Sequence, residues 1–237
     1  MEWWREDLLG SLLELESEHQ LFDRAAGMAA AIGFEYCAYG IQIPVPISRP
    51  SVTMFSNYSR QWQSCYHERN YLHVDPTVRH ALQSTLPVVW SNNLFASAQE
   101  MWEDAREHGL KFGWAQSSRD ARGSVGLLTL ARSTEQLSEC ELHANQPRMV
   151  WLTQCIHAAM SKRLTPRLAP ETKVGITARE KEVLRWTAEG KTASEIAQIL
   201  VVSERTINFH INNVVTKLGA SNKTQAAVKA TALGLLY

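Results

Sequence analysis

Cysteine is scarce in this chain of 237 residues: Cys37, Cys65, Cys140 and Cys155 are the only four, and none forms a C-x-x-C pair or stands beside a metal-like histidine spacing. A disulfide framework is excluded, and reduced thiols are expected. Long apolar runs are missing too: none approaches the roughly 18 residues that would span a bilayer. The acidic start, Met1-Glu2-Trp3-Trp4-Arg5-Glu6-Asp7, has no apolar signal core. A cytoplasmic protein without membrane contact is the expectation. The eight histidines (His19, His67, His73, His80, His108, His143, His157 and His210) are scattered, and no Gly-x-Ser-x-Gly elbow occurs. Metal-assisted and serine-dependent hydrolysis both lack their residues. No enzyme activity, metal or cofactor is expected. Net charge is zero.

What is present is concentrated in residues 177–218. Thr177 precedes Glu180 by three residues, and Thr192 precedes Glu195 by three. Both pairs fit a capping box, in which hydroxyl and carboxylate satisfy orphan backbone donors reciprocally. Ser203 opens a third helix, and Gly219 marks its end. Only Val201 and Val202 separate the second helix from the third, which describes a helix-turn-helix. At 3.6 residues per turn, Ile207, Ile211, Val214 and Leu218 share one stripe of the third helix. Arg205, Phe209, Asn212 and Thr216 lie opposite, flanked by Asn208 and Asn213. Arg, Asn and Thr carry the groups that read base edges, and an exposed Phe suits a thymine methyl. From Gly175 onward there are eight Lys/Arg against five Asp/Glu, net +3; residues 1–174 hold the other sixteen against nineteen, net −3. The positive end suits phosphate contact.

The earlier residues read as strands framed by helices. Leu8, Leu9, Leu12, Leu13 and Leu15, then Leu21, Phe22, Ala25, Ala26, Met28 and Ala29, space a helical segment over 5–32, broken near Ser17. Strands are expected at 34–43, where Phe34, Tyr36 and Ala38 alternate against Glu35, Cys37 and Tyr39, and at 51–56, 87–90, 112–116 and 123–131. Helices are expected at 61–69, 76–83, 98–108 and, disturbed around Pro147, at 137–164. The fold class is α+β, an N-terminal α-β-α sandwich followed by an all-α helix-turn-helix domain of four helices, the last over 222–235. That last helix is rich in Ala and suited to close packing against a copy of itself. Residues 165–175 hold two prolines and no periodicity, and are expected to be a linker between residues 1–164 and 176–237.

Seven of the eight tryptophans precede that linker. Each packs well in an ordinary core, but many amphipathic aromatics together also describe a mostly apolar cavity with a few polar groups. Trp62 and Tyr66, four apart, share a helix face. Asp75 before Pro76 is explained by a helix N-cap alone. Thr129 puts a hydroxyl on the face of Val125 and Leu127, an otherwise buried side of its strand.

The C-terminal stretch resembles the DNA-binding domain of the LuxR regulator family. Glu180, Val183, Leu184, Gly190, Lys191, Ile196, Ala197, Leu200, Ser203, Thr206, Ile207, His210, Lys217 and Leu218 carry the resemblance. The N-terminal part is similar to the autoinducer-binding domain of acyl-homoserine-lactone receptors in that family, through Trp62, Tyr66, Asp75, Pro76, Trp90 and Gly113. The resemblance implies a quorum-sensing transcription regulator. Its ligand would be an N-acyl-homoserine lactone; its partners would be double-stranded DNA at an inverted repeat, a second copy of the chain, and RNA polymerase. By the same resemblance, Trp62 would donate to the lactone carbonyl, Asp75 would accept the amide N–H, and Tyr58 and Thr129 would hold the acyl carbonyl. Tyr66, Trp90, Trp102 and Ala105 would wall the lactone ring, with Ala38, Val52, Tyr71 and Leu127 along the acyl tail. DNA contacts are expected from Lys191, Thr192, Ser203, Arg205, Thr206, Asn208, Phe209, Asn212, Lys217 and Lys223, with Lys191, Lys217 and Lys223 on phosphates. A phosphorylation-controlled regulator could share the DNA module, but its paired acids are absent after the first strand, which runs into Gln42-Ile43-Pro44-Val45-Pro46. A receptor of the same fold answering foreign lactones or another small molecule stays open.

Overall fold

The computed structural model describes residues 8–236, so residues 5–7 of the first expected helix lie outside the described residues. The chain divides into two compact units. The first is Met1–Gln42, Val52–Asp120 and Val125–Arg163; the second is Ile43–Ser51, Ala121–Ser124 and Leu164–Tyr237.

In the first unit the break at Ser17 has a chemical cause. Ser17 Oγ accepts from the Gln20 N–H at 3.2 Å while Gln20 Oε1 accepts from the Ser17 N–H at 3.1 Å. This capping box separates α1 (Leu8–Leu13) from α2 (Glu18–Ala31). Five strands follow the β-rich runs: β1 (Tyr36–Ile43), β2 (Ser51–Ser56), β3 (Val88–Val89), β4 (Phe112–Arg119) and β5 (Val125–Arg132). They form one antiparallel sheet in the order β2-β1-β5-β4-β3. β1 starts two residues later than expected and β4 runs three residues further. In β1, Cys37, Ala38 and Tyr39 are all buried. No polar alternation survives there, because both faces of the sheet are covered.

The pleat sorts side chains by parity. Tyr36, Ala131 and Gly113 form one row across the sheet; Ala38, Thr129 and Ala115 form the next; Gly40, Leu127 and Ser117 the third. This face lies under α3 (Arg60–Glu68), α4 (Pro76–Gln83) and α5 (Gln99–Glu107). The opposite face meets α2 and α6 (Glu139–Leu168): Phe55 stacks on Phe22 with ring centroids 6.2 Å apart, and the Tyr39 hydroxyl lies 2.9 Å from His157 Nδ1. The result is the expected sandwich.

α6 corrects two expectations. It is continuous for 30 residues through Pro147, and it extends to Leu168 through Pro166, into the stretch read as a linker. An interior proline costs about 3 kcal/mol by removing one hydrogen bond and crowding the preceding turn. Met149, Leu152, Ile156, Met160 and Leu164 are each fully buried along this helix, and each such burial is worth about 1.5–3 kcal/mol. Packing outweighs the prolines. A 3-10 turn over Pro170–Lys173 follows.

In the second unit, α7 (Ala178–Ala188), α8 (Ala193–Leu200), α9 (Glu204–Lys217) and α10 (Lys223–Ala232) make two apolar clusters. Both predicted capping boxes are present, and the Ser203 hydroxyl accepts from the Thr206 N–H at 3.1 Å. α10 is shorter than expected, with Asn222 outside it as N-cap. Its small residues Ala226, Ala227 and Ala230 are buried against Leu184, Val214 and Leu218 of the same chain. They are therefore used inside the unit and do not face outward for a second copy.

Candidate functional sites

The first site gathers over the sheet row of Tyr36, Ala131 and Gly113. Ser59 accepts from the Trp62 N–H and starts α3, which places Trp62 and Tyr66 on one face with ring centroids 5.7 Å apart. Tyr71, in a 3-10 turn over Tyr71–His73, lies 6.0 Å from each of them. Trp90 stands edge-on to Trp102 at 5.9 Å, and Phe95 stacks on Trp102 at 4.3 Å. A Cβ at Gly113 would meet the Trp90 ring at 2.4 Å, so the absence of a side chain at 113 lets Trp90 lie over the sheet. Trp62, Tyr71, Trp102 and Ala105 belong to one buried cluster, with Tyr58, Tyr66 and Trp90 packed against it.

Asp75 is 8 % exposed. Its Oδ1 accepts from the Thr77 N–H at 2.8 Å and from the Thr77 hydroxyl at 2.7 Å; its Oδ2 accepts from the Tyr66 hydroxyl at 3.0 Å. Burial raises the Asp75 pKa, and four donors, these three and the Val78 N–H, pull it back, leaving it above the ordinary carboxylate value. Asp75 is thus the N-cap of α4 and a partly satisfied buried acid at once, and Oδ2 keeps a free acceptor direction. Burial first, then the charge of Asp75, keeps the Tyr66 phenol a neutral donor. The Tyr58 hydroxyl, the Trp62 indole N–H and the Thr129 hydroxyl have no hydrogen-bond partner among the described residues, although Trp62 is 3 % and Thr129 8 % exposed. Leu127 and Val52 continue the same side of the sheet beyond Ala38 and Thr129.

Several polar anchors escaped the sequence reading. The Trp102 indole donates to Asn92 Oδ1 at 2.9 Å, and the Tyr71 hydroxyl donates to Asp104 Oδ2 at 2.6 Å, where Arg69 also pairs at 3.1 Å. Thr77 had a usable signal, a hydroxyl two residues after an N-cap acid. Asn92 and Asp104 had none, since their partners are fixed only by the fold.

The second site is α9. Ile207, Ile211, Val214 and Leu218 are buried, as their spacing predicts, and Arg205, Asn208, Phe209, Asn212 and Thr216 are exposed. Phe209 is 60 % exposed. Thr192 and Ser203 are N-caps, and the Thr206 hydroxyl lies 2.8 Å from that of Ser203. Lys191 and Lys223 line one groove of this unit. Lys217, expected on a phosphate, also has partners within the unit. Its ammonium donates to Glu180 Oε2 at 2.7 Å and to Gly175 O at 3.1 Å, and Glu180 is 3 % exposed. That ion pair holds α9 on α7 and gives Lys217 a structural task.

Residues 17–160 match the family described as autoinducer binding domain, and residues 175–230 match bacterial regulatory proteins of the luxR family. The chain belongs to the LuxR family of quorum-sensing regulators. The transcriptional activator protein AnoR of Acinetobacter nosocomialis is 49 % identical over 238 residues, covering 100 % of both chains. The crystal structure of Escherichia coli SdiA superposes with a TM-score of 0.87 at 35 % identity, covering 99 % of this chain and 98 % of that one. SdiA in complex with octanoyl-rac-glycerol gives 0.85 at 35 %, covering 99 % and 96 %. Much of the LuxR signature is architectural here. Val183, Leu184, Ile196, Ala197, Ile207 and Leu218 are core residues, Gly190 takes a φ of +83° in the α7–α8 turn, and Glu180 serves both the Thr177 cap and Lys217.

Proposed function

We propose that this quorum-sensing regulator binds an N-acyl-homoserine lactone within residues 1–164, and that residues 176–237, reached through the segment 165–175, bind an inverted-repeat DNA site as a dimer. One observation carries the ligand reading: hydrogen-bonding capacity left over on the aromatic side of the sheet. The Trp62 indole N–H and the Tyr58 and Thr129 hydroxyls are unpartnered donors, and Asp75 has acceptor capacity to spare. An amide-linked lactone offers one N–H and two carbonyls, the complement of that set. Each mismatch would cost about 1–3 kcal/mol, which selects the head group without any bond being broken. Trp62 takes the lactone carbonyl, Asp75 the amide N–H, and Tyr58 and Thr129 the acyl carbonyl. Tyr66, Trp90, Trp102 and Ala105 enclose the ring; Ala38, Val52, Tyr71 and Leu127 meet the tail. Tyr66 has a second task, holding Asp75 by its hydroxyl.

On the DNA side, Arg205, Asn208, Phe209 and Asn212 read bases in the major groove, with Thr192, Ser203 and Thr206 at the helix starts beside them. Lys191, Lys217 and Lys223 neutralise phosphates, and the complex recruits RNA polymerase as an activator. The chemistry is binding alone, carried out in the cytoplasm.

The test is lactone-dependent reporter activation. Asp75→Asn and Trp62→Phe should shift the dose–response by about thirty- to several-thousand-fold, the equivalent of about 2–5 kcal/mol for losing one partner of a buried, charged hydrogen bond. An unchanged curve for Asp75→Asn sinks the assignment. A second reading keeps the fold and changes the ligand to a foreign lactone or another acyl compound. It is favoured by the solved SdiA complex with octanoyl-rac-glycerol. Mass spectrometry of the ligand retained by the purified protein distinguishes the two.

A further inference from the structure

Trp62 depends on its neighbours for its direction. An indole has one N–H donor, fixed in the plane of the ring. A hydrogen bond weakens steeply once its angle falls below about 120°, so a tilted ring donates poorly. The Trp62 N–H has no hydrogen-bond partner among the described residues, and its orientation therefore comes from packing. Three rings supply it: Tyr66 at 5.7 Å, Tyr71 at 6.0 Å and His108 at 5.6 Å between centroids.

Tyr66 is held by Asp75. The other two rings share one anchor on α5. The Tyr71 hydroxyl donates to Asp104 Oδ2 at 2.6 Å, and His108 Nδ1 donates to the Asp104 backbone carbonyl at 2.8 Å. The same Oδ2 accepts from Cys65 Sγ at 3.4 Å, three residues beyond Trp62 on α3. It also pairs at 3.1 Å with Arg69, the residue that closes α3. Asp104 thus meets the helix that carries Trp62 and two of the three rings around it. Its side chain is 20 % exposed, against 48 % for Arg69 and 76 % for Glu100, the second partner of Arg69. An ion pair as open as Arg69–Glu100 contributes little. The bond from the buried Tyr71 to the Asp104 carboxylate is short, more enclosed and charge-assisted. The Tyr71 hydroxyl above all, then Cys65, Arg69 and His108, outweighs burial and holds the Asp104 carboxyl below the ordinary range.

We propose that Asp104 is a positioning residue: through Tyr71 and His108 it fixes the plane of the Trp62 indole, and so sets how strongly the receptor selects a ligand with a ring carbonyl. A binding group must be held within about 10–20° of its productive geometry by neighbours that are themselves locked. The proposal rests on the lactone-receptor reading above and adds the residue that keeps its donor aimed.

The experiment uses the full chain and reads half-maximal concentrations in the lactone-dependent reporter. One probe is the unsubstituted N-acyl-homoserine lactone, from butanoyl to dodecanoyl, that activates at the lowest concentration. The other carries the same acyl chain on 3-aminotetrahydrofuran, which lacks only the ring carbonyl. Without that carbonyl the Trp62 N–H is unmet, so the wild type should prefer the lactone by about 5–150-fold. Trp62→Phe should abolish the preference. In Asp104→Ala and in Tyr71→Phe it should fall by at least about threefold as the donor loses its alignment. Tyr71→Phe removes one oxygen, keeps the ring and decides the matter where Asp104→Ala does not fold. A wild-type preference in Tyr71→Phe, or an equal loss of response to both probes, marks a merely structural tie. Either result overturns the proposal and leaves the receptor reading intact, provided Trp62→Phe has lost its preference. A wild type without the preference, or a Trp62→Phe protein that keeps it, removes the basis of both.

Discussion

At the scale of single residues, Glu180 shows how one side chain serves local and distant structure together. It closes the capping box with Thr177 and holds Lys217 of α9. Burial alone would raise its pKa; the Lys217 ammonium and the Thr177 N–H prevail and lower it. An acid with a depressed folded-state pKa contributes stability that is complete above its unfolded value, near 4.3, and is lost as pH falls through the lower folded value. Melting of the C-terminal unit should therefore be flat in this respect above about pH 5 and decline below about pH 4. Glu180→Gln should cost about 1–3 kcal/mol at neutral pH, the range for a broken buried hydrogen bond, and should flatten the acid limb. Thermal melts of both proteins across that pH range check it. A wild-type-like acid limb in Glu180→Gln would show that other groups carry the dependence. The Glu180 partner of Lys217 was not legible in the sequence because it stands 37 positions away. The N-cap role of Asp75 and the buried side of Thr129 were legible, from the Asp-Pro pair and from strand parity. Asn92 and Asp104 were not, since nothing local marks a distant indole or phenol as a partner.

Among elements, those with chemistry written into their ends were the most legible. The capping boxes at Thr177 and Thr192 and the N-caps at Ser203 and Asp75 all stand where read. α6 was misread at Pro147 and Pro166, because local propensity penalises proline and the burial that overrides it is tertiary. The helix-turn-helix turn contains a different conflict. Val201 ends α8 at a φ of +53° and is 88 % exposed. A left-handed β-branched residue costs about 1–2 kcal/mol, and glycine there would cost about 0.5–1 kcal/mol in chain entropy. With so little packing to lose, Val201→Gly should stabilise the C-terminal unit by about 0.5–1 kcal/mol and raise its melting midpoint by about 2–8 °C. Scanning calorimetry reads this directly. An unchanged or lower midpoint would mean that Val201 makes a compensating contact.

For the whole molecule, the zero net charge conceals the split already visible in the sequence, +3 from residue 175 onward and −3 before it. The more consequential property is an interior with hydrogen-bonding groups in reserve. A ligand that fills such a site binds the folded state and not the unfolded one. At a hundredfold excess over its dissociation constant it should add about 2.7 kcal/mol. The melting midpoint should climb with lactone concentration, and Trp62→Phe should lose most of the climb. A wild-type midpoint indifferent to every acyl chain tested would count against the receptor reading. The burial of Trp62, Asp75 and Thr129 also bears on time. On the binding proposed above, a molecule held by these buried groups would leave when part of the aromatic wall opens, so departure would follow the rhythm of the protein rather than the strength of the bonds alone. Loaded receptors would outlast the fall of the signal outside. The cell would then act for a while on a census already out of date, and its memory of crowding would be as long as that opening is rare.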